Sequence, residues 1–306
     1  MGWICAPFLE KGASINELGV ILKKMIDFEL DRYNNHKESL VRITKKSYDM
    51  DFMLNEVDID FANKITGELE NEKTNQFLKA ISYRIESILF HYNLLYNINP
   101  DIVEQIEDYN NPFTQEEISI RQNCLFDSIV FHTASLFDYF SCFIWHIIEN
   151  KETANKCLWT SLSKSARNHQ NLTNSKLGEL IDLYDREWIC KLFDYRAELI
   201  HYKDDWANEI FDSEKQLIVV LSPISILKYF KFHKKVELQN KVLTINQISL
   251  WLVETSFDIC IKITEGIKEY IDLNRVRNDD VISFRNSNNP DDFNEIIDKL
   301  KNKNNT

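Results

Sequence analysis

The sequence predicts an all-α protein, a bundle of long antiparallel helices with room for a small β-hairpin before the last one. Three observations lead there. The chain of 306 residues is long enough to bury a large core without disulfide or metal support. It has only six glycines and five prolines, about 4% of residues where ordinary globular usage is roughly 12%, so turns are few and elements long. Between Pro112 and Pro223 stands one glycine, Gly178, and between Gly19 and Pro100 again one, Gly67. Apolar residues recur through these stretches at spacings of 3 and 4, the period of a helix buried on one side.

Element by element, Ser14 with Glu17 three residues on is a capping-box pattern that opens a helix to about Asn34. Segment 74–98 carries Phe77, Ile81, Ile85, Ile88, Tyr92 and Leu95 as one stripe that ends before Pro100. From about Glu116 to Asn150, Phe126, Val130, Phe137, Phe140, Ile144 and Ile147 share one side. Residues 129–148 are the most apolar run of this length, but His132, Asp138 and His146 interrupt it, which fits a buried bundle helix rather than a membrane span. Segments 186–202 and 246–273 complete the helices. The β-branched run Gln216–Leu221 and the weak alternation of Lys234–Thr244 suggest the two strands of the hairpin. The division expected is a helical N-terminal region of unassigned role at 1–73, the bundle at 74–274, and a tail rich in Asn and Asp at 275–306.

The same composition excludes several activities. The glycines form neither G-x-G-x-x-G nor G-x-x-x-x-G-K, so a P-loop NTPase, a dinucleotide-binding enzyme and a protein kinase are not expected. Cysteines 5, 124, 142, 157, 190 and 260 stand singly, without a C-x-x-C pair, and read as core thiols of a reducing cytoplasm. The seven histidines show no H-E-x-x-H or His/Cys spacing, so neither metal nor cofactor is expected. The first residues lack the basic start and long apolar run of a signal peptide. A net charge of −12 argues against non-specific coating of nucleic acid, yet two windows lack acids altogether. Thr153–Gly178 holds Lys156, Lys164, Arg167, His169 and Lys176; Lys215–Val236 holds Lys215, Lys228, Lys231, Lys234 and Lys235. They are candidate phosphate contacts or simply solvated faces.

Two groupings carry possible chemistry. Ser128, His132, Ser135, Tyr139, Cys142, His146 and Glu149 fall at steps of 4 and 3, a polar stripe that either lines a wet cavity or faces solvent, with Asp127 and Asp138 beside it. In 188–202, Trp188/Ile189, Leu192/Phe193 and Leu199/Ile200 form an inward face with Arg196 among them. A guanidinium there must be paired or must reach a polar cleft. His201 follows five residues on, about 140° round the helix. Metal-free RNA cleavage needs a base for the 2′-hydroxyl proton and a cation for the phosphoryl oxygens, and histidine and arginine suit those tasks. A structural arginine beside a surface histidine is the other reading.

Arg196-Ala-Glu-Leu-Ile-His201, between long helices, resembles the R-x4–6-H motif of the HEPN superfamily over roughly residues 75–273. The resemblance implies a compact helical bundle and a metal-independent endoribonuclease of toxin–antitoxin, abortive-infection or antiviral systems. It implies Arg196 as the phosphate-binding residue, His201 as the general acid/base, and a homodimer whose two motifs form one composite site. Lys203, Lys164 and Arg167 would hold flanking phosphates, and Tyr202, Tyr195 or Trp206 could stack a base. RNA, a second copy and an antitoxin or other defence protein would be the partners, in the cytoplasm and away from membranes. Ala197 stands where active members commonly carry a polar residue, and Lys203 stands where nucleotidyltransferase-paired members carry tyrosine. The alternative is a non-catalytic helical scaffold that dimerises or binds a partner.

Overall fold

Scarcity of glycine and proline has its counterpart in helix length. The computed structural model describes residues 15–66, 72–103, 112–149, 158–168, 172, 175–201, 209–212, 217–221, 224–230 and 243–274. The elements are α1 (Ile15–Phe61) continued by a π-helical turn (Ala62–Thr66), α2 (Glu72–Val103), α3 (Pro112–Glu149), α4 (Trp159–Arg167) and α5 (Lys176–Tyr184). A second π-helical turn (Asp185–Ile189) leads into α6 (Cys190–His201). Strands β1 (Glu209–Asp212) and β2 (Leu217–Val220), α7 (Ile224–Phe230) and α8 (Ile245–Leu273) follow. The protein is an all-α bundle with one small hairpin, as the sequence predicts.

Helix ends follow local chemistry. Pro112 opens α3, where its missing N–H deprives no partner. Thr244 and Gln247 form a reciprocal capping box at α8: the Gln247 N–H donates to Thr244 Oγ1 at 3.1 Å and the Thr244 N–H to Gln247 Oε1 at 2.9 Å. Two ends differ from expectation. The helix after Ser14 runs on to Phe61 because Ile43, Met50, Leu54, Val57 and Phe61 extend its apolar stripe into the common core. The segment set apart as 1–73 thus contributes to the same core as the helices that follow. α2 continues through Pro100 to Val103; one lost backbone bond is outweighed in a helix packed along most of its length. The tail 275–306 lies outside the described residues.

α2 and α3 are antiparallel neighbours, with Thr74 meeting His146 and Arg84 meeting His132. α1 and α8, by contrast, run parallel. Arg42–Glu254 at 2.5 Å, Lys46–Asp258 at 2.6 Å and Glu56–Lys268 keep one constant offset, and Lys64–Asp272 at 2.7 Å closes the ladder. Close approach explains two of the rare glycines. A Cβ on Gly178 would lie 2.6 Å from the Leu172 carbonyl oxygen, and one on Gly266 would lie 2.9 Å from Leu180 Cδ1 where α8 crosses α5.

The hairpin has β2 where the sequence places a strand, but its partner is β1, with Glu209 opposite Val220 and Asp212 opposite Leu217. Of the expected second strand 234–244, only Leu243 and Thr244 are described, and Thr244 makes an isolated bridge to Leu221. The cysteines also differ. Cys260 is fully buried, and burial pushes its thiol up, but Cys124 and Cys190 are exposed and Cys142 is half-buried. Among the described residues no helix is long and apolar enough to cross a membrane.

Candidate functional site

The buried line of α6 and its preceding turn passes through Trp188, Leu192, Tyr195 and Leu199, at spacings of 4, 3 and 4. Tyr195 fills the centre, its ring 6.4 Å from Phe126 and 5.9 Å from Tyr229. This corrects the inward face read from the sequence, which put Arg196 between the apolar pairs. Arg196 stands at the edge of the line, and Ile200 is 51% exposed. The physical reason is desolvation: a tyrosine ring enters a core at far lower cost than a guanidinium.

At that edge Arg196 Nη1 donates to Asp138 Oδ2 of α3 at 3.2 Å, and the guanidinium lies 5.7 Å from the Phe193 ring centroid. The two side chains are 29% and 34% exposed. Burial pushes the Asp138 carboxyl up, and the charge and hydrogen bond of Arg196 oppose that shift. One donor of five is engaged among the described residues, in a side chain that keeps 29% of its surface exposed. His201 is the last residue of α6 and is exposed at its C-terminal turn, about 7.5 Å along the axis from Arg196. Between them Glu198 is turned aside: it accepts from the Tyr229 hydroxyl, which that bond pushes up to about 12, and lies 3.6 Å from Lys228. Ala197 is exposed.

The other predicted contacts fall elsewhere. Tyr202, Lys203 and Trp206 lie outside the described residues. Arg167 donates through Nε to Asp182 at 2.8 Å and through Nη2 to the buried Asp185, which also accepts from Trp159 Nε1 at 2.8 Å. Its charge is therefore compensated inside the chain. Lys164 is exposed on α4. Tyr195, offered above as a ring that could stack a base, is instead fully buried in the chain's own core, as is Trp188.

Part of the polar stripe of α3, His132, Tyr139 and His146, meets α2 in a seam. His146 is buried, its Nε2 lies 3.1 Å from Thr74 Oγ1, and the Phe61 and Phe77 rings pack on it. Farther along, His132 Nδ1 lies 3.0 Å from Arg84 Nη1, and the guanidinium rests 5.5 Å from the Tyr139 ring centroid. The His91 and His132 rings are 5.0 Å apart, tilted by 31°. Sequence reasoning passed over Arg84 and His91. Their seven-residue separation, two turns of one helix, is the signal that could have joined them to His132.

Among the described residues no group of three His, Cys, Asp or Glu is placed to hold a metal. The fold and these residues thus define a helical bundle with a half-exposed arginine–histidine pair on α6 and a basic seam between α2 and α3. No family model matches the chain, and no curated protein and no solved structure matches it either.

Proposed function

We propose that the chain is a HEPN-like, metal-independent endoribonuclease in which Arg196 grips the scissile phosphate and His201 moves the proton. The observation that carries the reading is the setting of Arg196. A single ion pair and the Phe193 ring orient a partly exposed guanidinium at the edge of the core, and His201 stands exposed about 1.4 turns on. In the reaction His201 takes the 2′-hydroxyl proton as that oxygen bonds to phosphorus, and Arg196 holds the charge gathering on the phosphoryl oxygens. The bond to the 5′-oxygen breaks, leaving a 2′,3′-cyclic phosphate, and the departing oxygen takes a proton from a second acid. In a homodimer with both α6 helices at one groove, that acid is His201 of the partner subunit. Action on RNA in the cytoplasm, in a defence or toxin–antitoxin setting, follows from the motif resemblance.

A second reading has an observation of its own. Arg196–Asp138 ties α6 to α3, and Ala197 adds no polar group, which suits a non-catalytic scaffold. Cleavage of single-stranded RNA by the wild type, Arg196→Ala and His201→Ala separates the two. The enzyme reading expects wild-type cleavage and losses of about 10²-fold or more in each variant, with circular dichroism unchanged. Absence of wild-type cleavage, or wild-type rates in both variants, supports the scaffold.

A further inference from the structure

In a chain with 48 acidic and 36 basic residues, an arginine ordinarily finds a carboxylate. Arg42, Arg121, Arg167, Arg186 and Arg196 each do so. Arg84 is the exception among arginines whose side chains are described. Its neighbours are basic or aromatic: His132 at 3.0 Å, and the rings of Tyr139 and Tyr83 at 5.5 and 5.3 Å. Its Nε is buried with no hydrogen-bond partner. Stacked on His132 is a third basic group, His91. Among the described residues no carboxylate pairs with Arg84, His91 or His132, so three groups able to carry positive charge meet without an anion.

Hydrogen bonding fixes what the two imidazoles offer. Arginine only donates, so His132 Nδ1 accepts and its proton sits on Nε2. The Ser87 carbonyl only accepts, so His91 Nδ1 donates to it at 2.7 Å and Nε2 is left for a second proton. Burial, then His91 and Arg84, hold the His132 imidazole below its usual range, and a bound anion would reverse the effect of those two neighbours.

Exposed aromatic rings flank the cluster. Tyr83 is 58% and Phe90 59% exposed, seven residues apart on α2 and about 10 Å along its axis. The Arg84 guanidinium lies over the Tyr83 ring, and Phe90 meets His91 edge-on with centroids 5.4 Å apart. Rings set beside an arginine that has no carboxylate partner among the described residues suit an unpaired base joined to its phosphate.

We propose that this seam binds a nucleotide, its phosphate between Arg84, His91 and His132 and its base on Phe90 or Tyr83. The site does not depend on the Arg196 reading: His132 and Asp138 are six residues apart on α3, about 240° round the helix, and so face different neighbours. The ligand is either a free nucleotide or one unit of a single strand.

Binding to the full chain is measured with AMP, inorganic phosphate and a fluorescent single-stranded DNA 12-mer, which lacks the 2′-hydroxyl and is not cleaved by the chemistry proposed above. Saturable binding of AMP identifies a free nucleotide; binding of the strand alone identifies a polymer. In either case Arg84→Gln and His91→Gln should each weaken binding about tenfold, the loss of a charged hydrogen bond. Phe90→Ala, at an exposed position that leaves folding intact, should weaken the nucleotide or strand but not inorganic phosphate. Arg196→Ala should bind as the wild type does. Absence of saturable binding by AMP and the strand, or wild-type binding by Phe90→Ala and His91→Gln, overturns the proposal. So does a dimer that Phe90→Ala dissociates, which would make this face an interface between copies.

Discussion

Removing the Arg196 side chain should abolish activity while costing little stability, and the geometry sets how little. At 3.2 Å the Arg196–Asp138 contact is a single hydrogen bond at the long end of the range. Two unit charges at that separation attract by about 5 kcal/mol at an effective dielectric near 20. Both side chains are about one-third exposed, however, so water screens the pair and partly solvates each member alone. Exposed pairs typically contribute about 0.2–1 kcal/mol. A double-mutant cycle of Arg196→Ala and Asp138→Ala, followed by urea unfolding, should therefore give a coupling of about 1 kcal/mol or less. It should shrink further in about 0.5 M salt. Arg196→Ala alone should lower Tm by about 2 °C or less. A loss of about 3–5 kcal/mol, the cost of breaking a buried pair, would instead make Arg196 a structural tie.

Gly178→Ala should destabilise by about 1–3 kcal/mol in urea melts, since its Cβ would stand 2.6 Å from a backbone oxygen that cannot rotate away; an unchanged midpoint would contradict the packing described. Burial pushes the half-buried Asp58 carboxyl up from 3.8 to about 6. The folded chain then holds a proton that the unfolded chain has released, so this group's contribution to stability falls as pH rises from about 4 to about 6. Asp58→Asn should therefore raise Tm above wild type at pH 7, with the difference closing toward pH 4; a difference independent of pH would refute it. If the site is composite, mixing Arg196→Ala with His201→Ala subunits should recover part of the cleavage, whereas an active monomer at micromolar concentration excludes shared sites.

Fold class was legible because it rests on spacing. The stripes of α2, α3 and α8 repeat at 3 and 4, and few glycines interrupt them. Helix ends were less so: the apolar positions from Ile43 to Phe61 are spread thinly among charges whose partners lie about two hundred residues away on α8. No local pattern shows that Arg42 faces Glu254. The same distance in sequence hid the seam, where Arg84 and His91 become a cluster only once α3 brings His132 beside them. Arg196 was legible as a charge near an apolar face, but its depth depended on whether Tyr195 or the guanidinium took the inward direction, which a shift of one residue decides. Arg167 shows the converse case. An acid-free window marked it as unpaired, while Asp182 and Asp185 lie just beyond that window and hold it.

RNA cleavage by Arg196 and His201, as proposed, proceeds by attack of the substrate's own 2′-hydroxyl and so fixes the chemistry of the product. The most direct test incubates the purified wild-type chain with an end-labelled RNA in excess chelator and identifies the new 3′ end. A 2′,3′-cyclic phosphate, formed at an unreduced rate and lost in His201→Ala, is the result expected. Cleavage that stops with chelator and returns with magnesium or manganese, or a product ending in a free 3′-hydroxyl, would contradict it.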